Sequence, residues 1–578
     1  VGVFAGASRR VISYPMNNFE PEQLRQRCEN YLVEEPDEAL RLELQALKPG
    51  ADLNDRMGQY LRFGTAGLRG RMQAGYNRMN IPAVYRLAYA VGENLAPSAR
   101  VVIAFDGRHK SEIFAREVAQ VLGLLDKEIF IFCESVPTPL CAFATKYLGA
   151  TLGIIITASH NPAYDNGIKL FDAQGAQAHG ELLAKLEQAI EKAPLRPDFY
   201  RVYKKKTTSI IIGEKIFQAY NKAVKNNKLF KPEKIDKSVA VVYTALHGVG
   251  QKFFLRAAHE EGFENISIVE DQALPDGNFP TLSFPNPEEE HTLERAHAQA
   301  IDQKIEWVFA NDPDADRLQV SNLNAVGALS KLSGNEMGSI LGFFAIKKAL
   351  ESGERPLVAS SIVSSRMLKA IALQLGAYYV DALTGFSNIT NAALKAEHET
   401  GAQLVFAYEE AIGFLVGNVG LDKDGINAGA RFLEIAAWLK REKISSWDFL
   451  DQLALRFGLF MSDQWSLRFV GPEALSSMRT FMLGVRALSV DELAHKLKIK
   501  DLKKFDLLTN AAINADVVIF EGENNFRLIV RPSGTEPKIK FYIEISDKVD
   551  DPMTLSTKKT ACADNLRELR SAIEKILS

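Results

Sequence analysis

Cysteine is scarce in this chain: four residues in 578, at Cys28, Cys133, Cys141 and Cys562. None sits in a CxxC pair, so neither a zinc ribbon nor a disulfide framework is indicated, and reduced, cytoplasmic thiols are expected. Charge of one sign is missing too. Lys and Arg number 69 against 72 Asp and Glu, a net charge of −3. A dedicated nucleic-acid binder needs a basic surface to displace counterions, so no nucleic-acid partner is expected, while a local anion pocket stays open. No run approaches the roughly 18 consecutive apolar residues of a membrane span, so no membrane partner is expected either. Low-complexity tracts and short repeats are absent from the chain.

What remains is ordinary globular usage, 47% hydrophobic and 24% charged. At about 150 residues per domain, the length suggests roughly four domains. Segment 1–15 carries Arg9 and Arg10 and no acidic residue. It is read as an upstream remnant ahead of Met16 rather than a targeting peptide, and it stays outside the fold reading.

One pattern recurs along the chain: an apolar strand-like run, a Gly/Asp/Ser/Asn-rich turn, then helical periodicity. VVIAF (101–105) precedes DGR, LGIIIT (152–157) precedes ASHNP, and VAVVYT (239–244) precedes ALHGVG. IEWVFA (305–310) precedes NDPDADR, PLVASSIV (356–363) precedes a helical stretch, and LVFAY (404–408) precedes EEAIGF. Short Val/Ile-rich runs alternating with helices indicate α/β units with buried sheets. Ligands of such sheets gather beyond the carboxyl ends of the strands, where these polar clusters lie. Segment 525–546 reads instead as two strands around a turn, with a helical tail over 556–577, a separate α+β domain. The Lys-rich stretch 201–237 reads as a solvated linker and helix face. Segment 275–290 carries four prolines and reads as a long ordered loop near a site.

The strongest chemical signal is NDPDADR, 311–317. Asp312, Asp314 and Asp316 alternate, and Pro313 biases Asp312 toward extended geometry. In an extended chain residues two apart share a side, so three carboxylates converge and need a hard cation such as Mg²⁺ or Ca²⁺. An EF-hand is excluded, because Arg317 stands where its glycine belongs and Leu323 where its bidentate Glu belongs. In TASHNP, 157–162, Ser159 lies just past a strand, where a side chain can be exposed. The segment lacks the flanking glycines of a hydrolase nucleophile elbow. Adjacent residues diverge in an extended chain, which places His160 poorly for deprotonating Ser159. By itself, S-H-N-P most often marks a turn or helix N-cap. RPSGTEPK, 531–538, offers Arg531 as a planar fork for phosphate, with Ser533, Gly534 and Thr535 forming a tight anion nest; a plain hairpin turn fits as well. FGTAGLRG, 63–70, places Arg69 after two glycines. YEEAIGF, 408–414, brings Glu409 and Glu410 to a strand end, suited to sugar hydroxyls or to solvent alone, and is followed by DKDG, 422–425.

Taken together and in this order, the motifs resemble the α-D-phosphohexomutase family of phosphoglucomutases and phosphomannomutases, from about residue 60 to about 545. TASHNP matches the phosphoserine loop, DPDADR the metal loop, EEAIG the sugar loop and RPSGTEPK the phosphate loop. VYTALHGVG and 275–290 look like the longer phosphoglucomutase-2 and phosphopentomutase branch.

The resemblance implies an isomerase, an intramolecular phosphotransferase interconverting sugar 1-phosphate and 6-phosphate. The sugar would be glucose first and mannose second, with a sugar 1,6-bisphosphate as intermediate and activator. It implies Mg²⁺ on Asp312, Asp314, Asp316 and a phosphorylated Ser159, with Arg317 and Arg69 beside the phosphoserine. His160 and Lys169 would assist proton transfer and charge neutralisation. Thr384, Gly385, Glu409, Glu410 and Lys423 would meet the substrate, and Arg531, Ser533, Gly534 and Thr535 would grip the non-reacting phosphate. The expected fold is three α/β domains with mixed sheets plus a C-terminal α+β domain around a central cleft. The expected divisions are 1–208, 209–330, 331–457 and 458–578, in a monomer or homodimer.

Two positions depart from the family. Ala411 stands where many relatives have Ser, and Ser387 where they have Lys. Alternatives within the family are a phosphopentomutase and a glucose-1,6-bisphosphate synthase. Outside its activity, the alternatives are a Mg²⁺-dependent sugar phosphatase and a non-catalytic relative.

Overall fold

A computed structural model describes residues 20–64, 67–193, 208–470, 473–510, 513–523, 525–533 and 537–577. Segment 1–15, Lys204 to Lys206, Gly534 and Thr535 lie outside the described residues. By packing, the chain divides into two compact units. One runs to Leu332 and includes Ala411–Glu442; the other joins Ser333–Glu410 to Lys443–Ser578.

Among the described residues, the first unit holds two mixed sheets. The larger has the order Phe63–Gly64, Gly67–Arg71, Asp165–Phe171, Leu152–Ile156, Arg100–Phe105, Glu128–Phe132, Ser209–Ile212. Its central strands run parallel, and Val101, Val102, Ile103, Ile154, Ile155 and Ile156 are all fully buried. Helices on both faces demand such continuous apolar runs. Asp165–Phe171 is antiparallel to Leu152–Ile156 and to Gly67–Arg71, with Lys169 opposite Ile155 and Arg69 opposite Gly167. Lys169 thereby sits on the neighbour of the strand that leads to Ser159, and Arg69 one strand further out.

The second sheet has the order Leu329–Lys331, Leu318–Leu323, Trp307–Asn311, Val241–Thr244, Ile266–Ile268. Trp307–Asn311 pairs in parallel with Val241–Thr244 and antiparallel with Leu318–Leu323, so the aspartate loop is the turn between two paired strands. Helices Pro21–Glu34, Glu38–Ala46 and Ala51–Gly58 form a small core of their own around Tyr31, Met57 and Tyr76.

In the other unit, Tyr378–Ala382, Pro356–Ser361 and Gln403–Glu409 run parallel. A second, wholly antiparallel sheet has the order Leu459–Arg468, Lys538–Asp547, Arg527–Pro532, Val518–Glu521, Lys503–Asp506. Helix Leu555–Leu577 packs on it, which is the expected α+β arrangement. Ile362 and Val363 pack with Leu507, Val517, Ile529 and Tyr542, and Arg366 Nε pairs with Glu544 at 2.7 Å.

Candidate active site

Ser159 follows the strand Leu152–Ile156 on a turn, and the expected exposure is not found: its residue surface is 1% exposed. Its φ is +52°, a left-handed conformation that costs a non-glycine residue on the order of 1 kcal/mol. The loop is held from below by Arg108, whose side chain is 1% exposed. Arg108 Nη1 donates to the carbonyls of Pro162 and Asp165, and Nη2 to those of Ser159 and Asn161. Gly167 lies across from the loop, where a Cβ would stand 2.4 Å from the Leu68 carbonyl and 2.8 Å from that of Thr157. Backbone approach this close needs glycine.

The left-handed turn also overturns the expected separation of His160 from its neighbour. Ser159 Oγ is 3.2 Å from His160 Nδ1 and 2.8 Å from Asp312 Oδ2. The divergence expected of adjacent side chains holds only in extended backbone. Burial, then the charges of Arg317 and Arg69, push the imidazole well below its usual value, so it is neutral at pH 7.

The aspartate loop is likewise not extended. Ala315 N–H donates to Asp312 O at 2.8 Å and Ala315 has φ +52°, which closes a turn. The carboxylates still converge: Asp312, Asp314 and Asp316 each offer an oxygen within 4.8 Å of the others, and all three are buried. Lys169 Nζ bridges Asp314 Oδ2 at 2.6 Å and Asp316 Oδ2 at 2.7 Å. Thr138 Oγ1 donates to the same Asp314 oxygen at 2.6 Å. Asp314 Oδ1 and Asp316 Oδ1 are buried without a hydrogen-bond partner. Burial and the charges of its two neighbours push the Asp312 carboxyl well above the usual carboxylate range. At Asp316 burial is the largest single influence and pushes upward, but Lys169, Lys423 and Arg317 together outweigh it and hold the carboxyl well below that range. Three buried carboxylates, two of their oxygens without a hydrogen bond and one carboxyl whose ionisation its surroundings oppose are what a hard divalent cation would satisfy.

Segment 275–290 is irregular, as its prolines imply, and it borders this group. Phe284 meets the His160 ring edge-on at 5.9 Å, and Glu288 pairs with Arg317 Nη1 at 3.1 Å. Arg69 Nη1 donates to Asn161 Oδ1 at 2.8 Å. Lys423 Nζ lies 3.4 Å from Asp316 Oδ2, which places it with the aspartates.

The other unit gathers a second group. Gly385, at φ +102°, donates its N–H to Glu409 Oε1 at 2.7 Å. Glu410 Oε2 accepts from Ser361 Oγ at 2.9 Å and Ser364 Oγ at 3.3 Å. Burial, then the Glu409 charge, raises the Glu410 carboxyl. Arg531 Nη1 donates to Thr384 Oγ1 at 2.8 Å, and Ser533 N–H to Lys538 O at 2.7 Å. Lys540 pairs directly across from Arg531, and directly opposite residues share a face. Ser387 is buried in the first turn of helix Phe386–Thr400.

The sequence reading did not single out Thr138, Arg108, Glu288 or Lys540. For Lys540 a signal existed, since strand parity and a hairpin about 531–538 place it beside Arg531. For Thr138, Arg108 and Glu288 there was none, because only tertiary packing brings them to the loops.

Models of phosphoglucomutase/phosphomannomutase α/β/α domains I, II and III match residues 61–196, 218–324 and 333–454, and that of the C-terminal domain matches 489–550. A Haemophilus influenzae protein named a probable phosphomannomutase is 34% identical over 463 residues, covering 80% of this chain and 90% of its own. The chain belongs to the phosphoglucomutase/phosphomannomutase family. Members of this family are mutases, isomerases that act by phosphoryl transfer. A Schizosaccharomyces pombe protein named a probable phosphoribomutase is 34% identical over 553 residues, covering 88% of this chain and 91% of its own. A crystal structure of a phosphoglucomutase/phosphomannomutase family protein from Burkholderia thailandensis shares the fold. Its TM-score is 0.63 at 20% identity, over 89% of this chain and 96% of that one. The three α/β domains with mixed sheets and the C-terminal domain expected from the sequence are those of this family.

Among the described residues, no helix is long and apolar enough to cross a membrane.

Proposed function

We propose that this protein is a phosphosugar mutase. It interconverts sugar 1-phosphate and 6-phosphate, glucose first and mannose second, through phosphorylated Ser159 and a sugar bisphosphate. The observation that carries the reading is Ser159 Oγ at 2.8 Å from Asp312 Oδ2, against a buried carboxylate triad.

In the first half-reaction the bond from phosphorus to Ser159 Oγ breaks and a bond to a sugar hydroxyl oxygen forms. The sugar hydroxyl gives up its proton, and Ser159 ends as a hydroxyl. The bisphosphate then turns over, and its other phosphoryl group returns to Ser159. Positioning and electrostatics supply most of the rate in such transfers. Neutral His160 holds or passes a proton at Ser159 Oγ. Arg69 and Arg317 stabilise the equatorial oxygens, and Lys169 keeps Asp314 and Asp316 neutralised. Mg²⁺ on Asp312, Asp314, Asp316 and the phosphoserine would supply Lewis-acid stabilisation of the phosphoryl oxygens. Glu409, with Thr384, Gly385, Glu410 and Lys423, is assigned to the sugar. Arg531, Ser533, Gly534 and Thr535 are assigned to the phosphate that is not reacting, joined by Lys540. The sugar 1,6-bisphosphate serves as activator, restoring the phosphoserine if it is lost. The domains are proposed as 1–208, 209–330, 331–457 and 458–578.

Mass spectrometry should find one phosphate on Ser159. Ser159→Ala should retain the fold and lose turnover; near-wild-type activity in that variant refutes the mechanism. A phosphatase would release free phosphate instead of isomerised sugar, and measuring both products decides between them.

A second reading, a phosphopentomutase, draws on one position. Ala411 lacks the hydroxyl that many relatives carry, which suits a sugar with one hydroxyl fewer, and the Schizosaccharomyces pombe relative's name points the same way. Assays of glucose, mannose and ribose phosphates, each primed with its bisphosphate, separate the two. Higher kcat/KM on ribose phosphate than on glucose phosphate favours the second reading, and Ala411→Ser should move that ratio toward glucose.

A further inference from the structure

We propose that Thr138 is a positioning residue of the metal site: it locks the Asp314 carboxylate so that Oδ1 faces a divalent cation and Oδ2 does not. The inference rests on the reading of the three aspartates as metal ligands.

Thr138 opens the helix Thr138–Tyr147 and is fully buried. Its N–H belongs to the first turn, so it has no partner within the helix. It donates to the Asp314 carbonyl at 2.9 Å, while Oγ1 donates to Asp314 Oδ2 at 2.6 Å. One residue therefore holds both the backbone and the carboxylate of the same aspartate. Pro137 and Pro139 flank it, fixing φ on either side and bringing no competing N–H.

An aspartate carboxylate turns readily about χ2 and is nearly two-fold symmetric, so by itself it presents either oxygen. Lys169 also breaks that symmetry, but its ammonium rides on a long four-carbon stem and is shared with Asp316. The Thr138 hydroxyl sits on a short β-branched side chain with restricted χ1. With Lys169 it fills the lone-pair positions of Oδ2, leaving Oδ1 buried and without a hydrogen-bond partner. Asp316 shows a similar division, with Oδ2 on Lys169 and Oδ1 without a hydrogen bond though 3.9 Å from Arg317 Nε, and among the described residues no threonine bonds to it.

Groups that orient a metal ligand in this way contribute about 10- to 100-fold in affinity. The test strips the protein of metal and titrates Mn²⁺, reading free Mn²⁺ by electron paramagnetic resonance. Thr138→Val keeps the shape and the N–H bond but lacks the hydroxyl, and should weaken Mn²⁺ binding about 10- to 100-fold. Thr138→Ala should do the same, which guards against a folding defect peculiar to valine. Thr138→Ser should restore wild-type affinity. In steady state the Mg²⁺ concentration for half-maximal activity should rise in the Val and Ala variants while the KM for sugar phosphate holds. Wild-type Mn²⁺ affinity in both variants, whatever their melting temperatures, overturns the role of Thr138 alone. A wild-type protein that binds no Mn²⁺ overturns the metal reading and the proposal together.

Discussion

Replacing Lys169 with methionine tests how the aspartate cluster is neutralised. The ammonium side chain is 2% exposed and pairs at 2.6 and 2.7 Å with two carboxylates that are themselves buried. Methionine keeps much of the volume and removes the charge. Removing one partner of a buried ion pair costs about 3–5 kcal/mol, because the other partner is left charged and dry. A pair at about 4 Å, with an effective dielectric near 20, gives a similar figure of roughly 4 kcal/mol. Proton uptake by the aspartates limits the loss, so about 4 kcal/mol is taken for both contacts together. For a large domain this lowers Tm by roughly 8 °C, at about 2 °C per kcal/mol. A divalent cation replaces the missing charge, and ligand at 100 times its Kd returns about 2.7 kcal/mol. Melting wild type and Lys169→Met in chelator and in excess Mg²⁺ reads both effects. The variant should melt well below wild type in chelator and gain more from Mg²⁺. Equal melting in chelator, or an equal gain from Mg²⁺, refutes the view that Lys169 stands in for part of the cation's charge.

Arg531→Ala and Lys540→Ala should each raise the KM for sugar phosphate while Ser159 is still phosphorylated by the bisphosphate; an unchanged KM removes the residue concerned from the phosphate grip. Glu434 gives a pH prediction. Burial, outweighing the Arg431 charge, raises its carboxyl from 4.5 to about 7. The folded state thus binds a proton that the unfolded state has released between about pH 4.5 and 7, so this group's contribution to stability falls as pH rises through that window and is level above it. The full shift corresponds to about 3 kcal/mol at 1.36 kcal/mol per unit. Urea unfolding from pH 5 to 8 should show a downward slope that Glu434→Gln flattens, and identical slopes in the two proteins would contradict the assignment.

The strands were legible because their chemistry is local. A run such as LGIII, buried on both faces, has no alternative as a solvated helix or a turn. The functional loops were legible as motifs at strand ends, yet their shapes were not. Extended geometry for 312–316 and divergence of Ser159 from His160 followed from ordinary backbone preference. The left-handed φ at Ser159 and Ala315 set that preference aside. Neither residue is glycine, so no residue type announced the turn. The anchors of those turns come from distant segments: Thr138 lies 176 positions before Asp314, and Arg108 51 before Ser159. Pair contacts of that separation leave no trace in spacing. At Lys423 a contact with substrate is expected, and the ion pairs it makes with Asp316 and Asp422 had no sign in the sequence.

Arg108 gives every Nη contact to main-chain carbonyls of the Ser159 loop, and its Nε lies 3.5 Å from Asp106. A cation bound in this way is part of the frame. It does not swing to follow a phosphoryl group as that group departs or returns. The field it casts on Ser159 Oγ is therefore the same at the start and the end of a transfer, and no reorganisation energy arises from it in either direction. Under the proposed phosphoserine mechanism, in which one transfer runs twice over Ser159, forward and then in reverse, such a charge takes no side between the two.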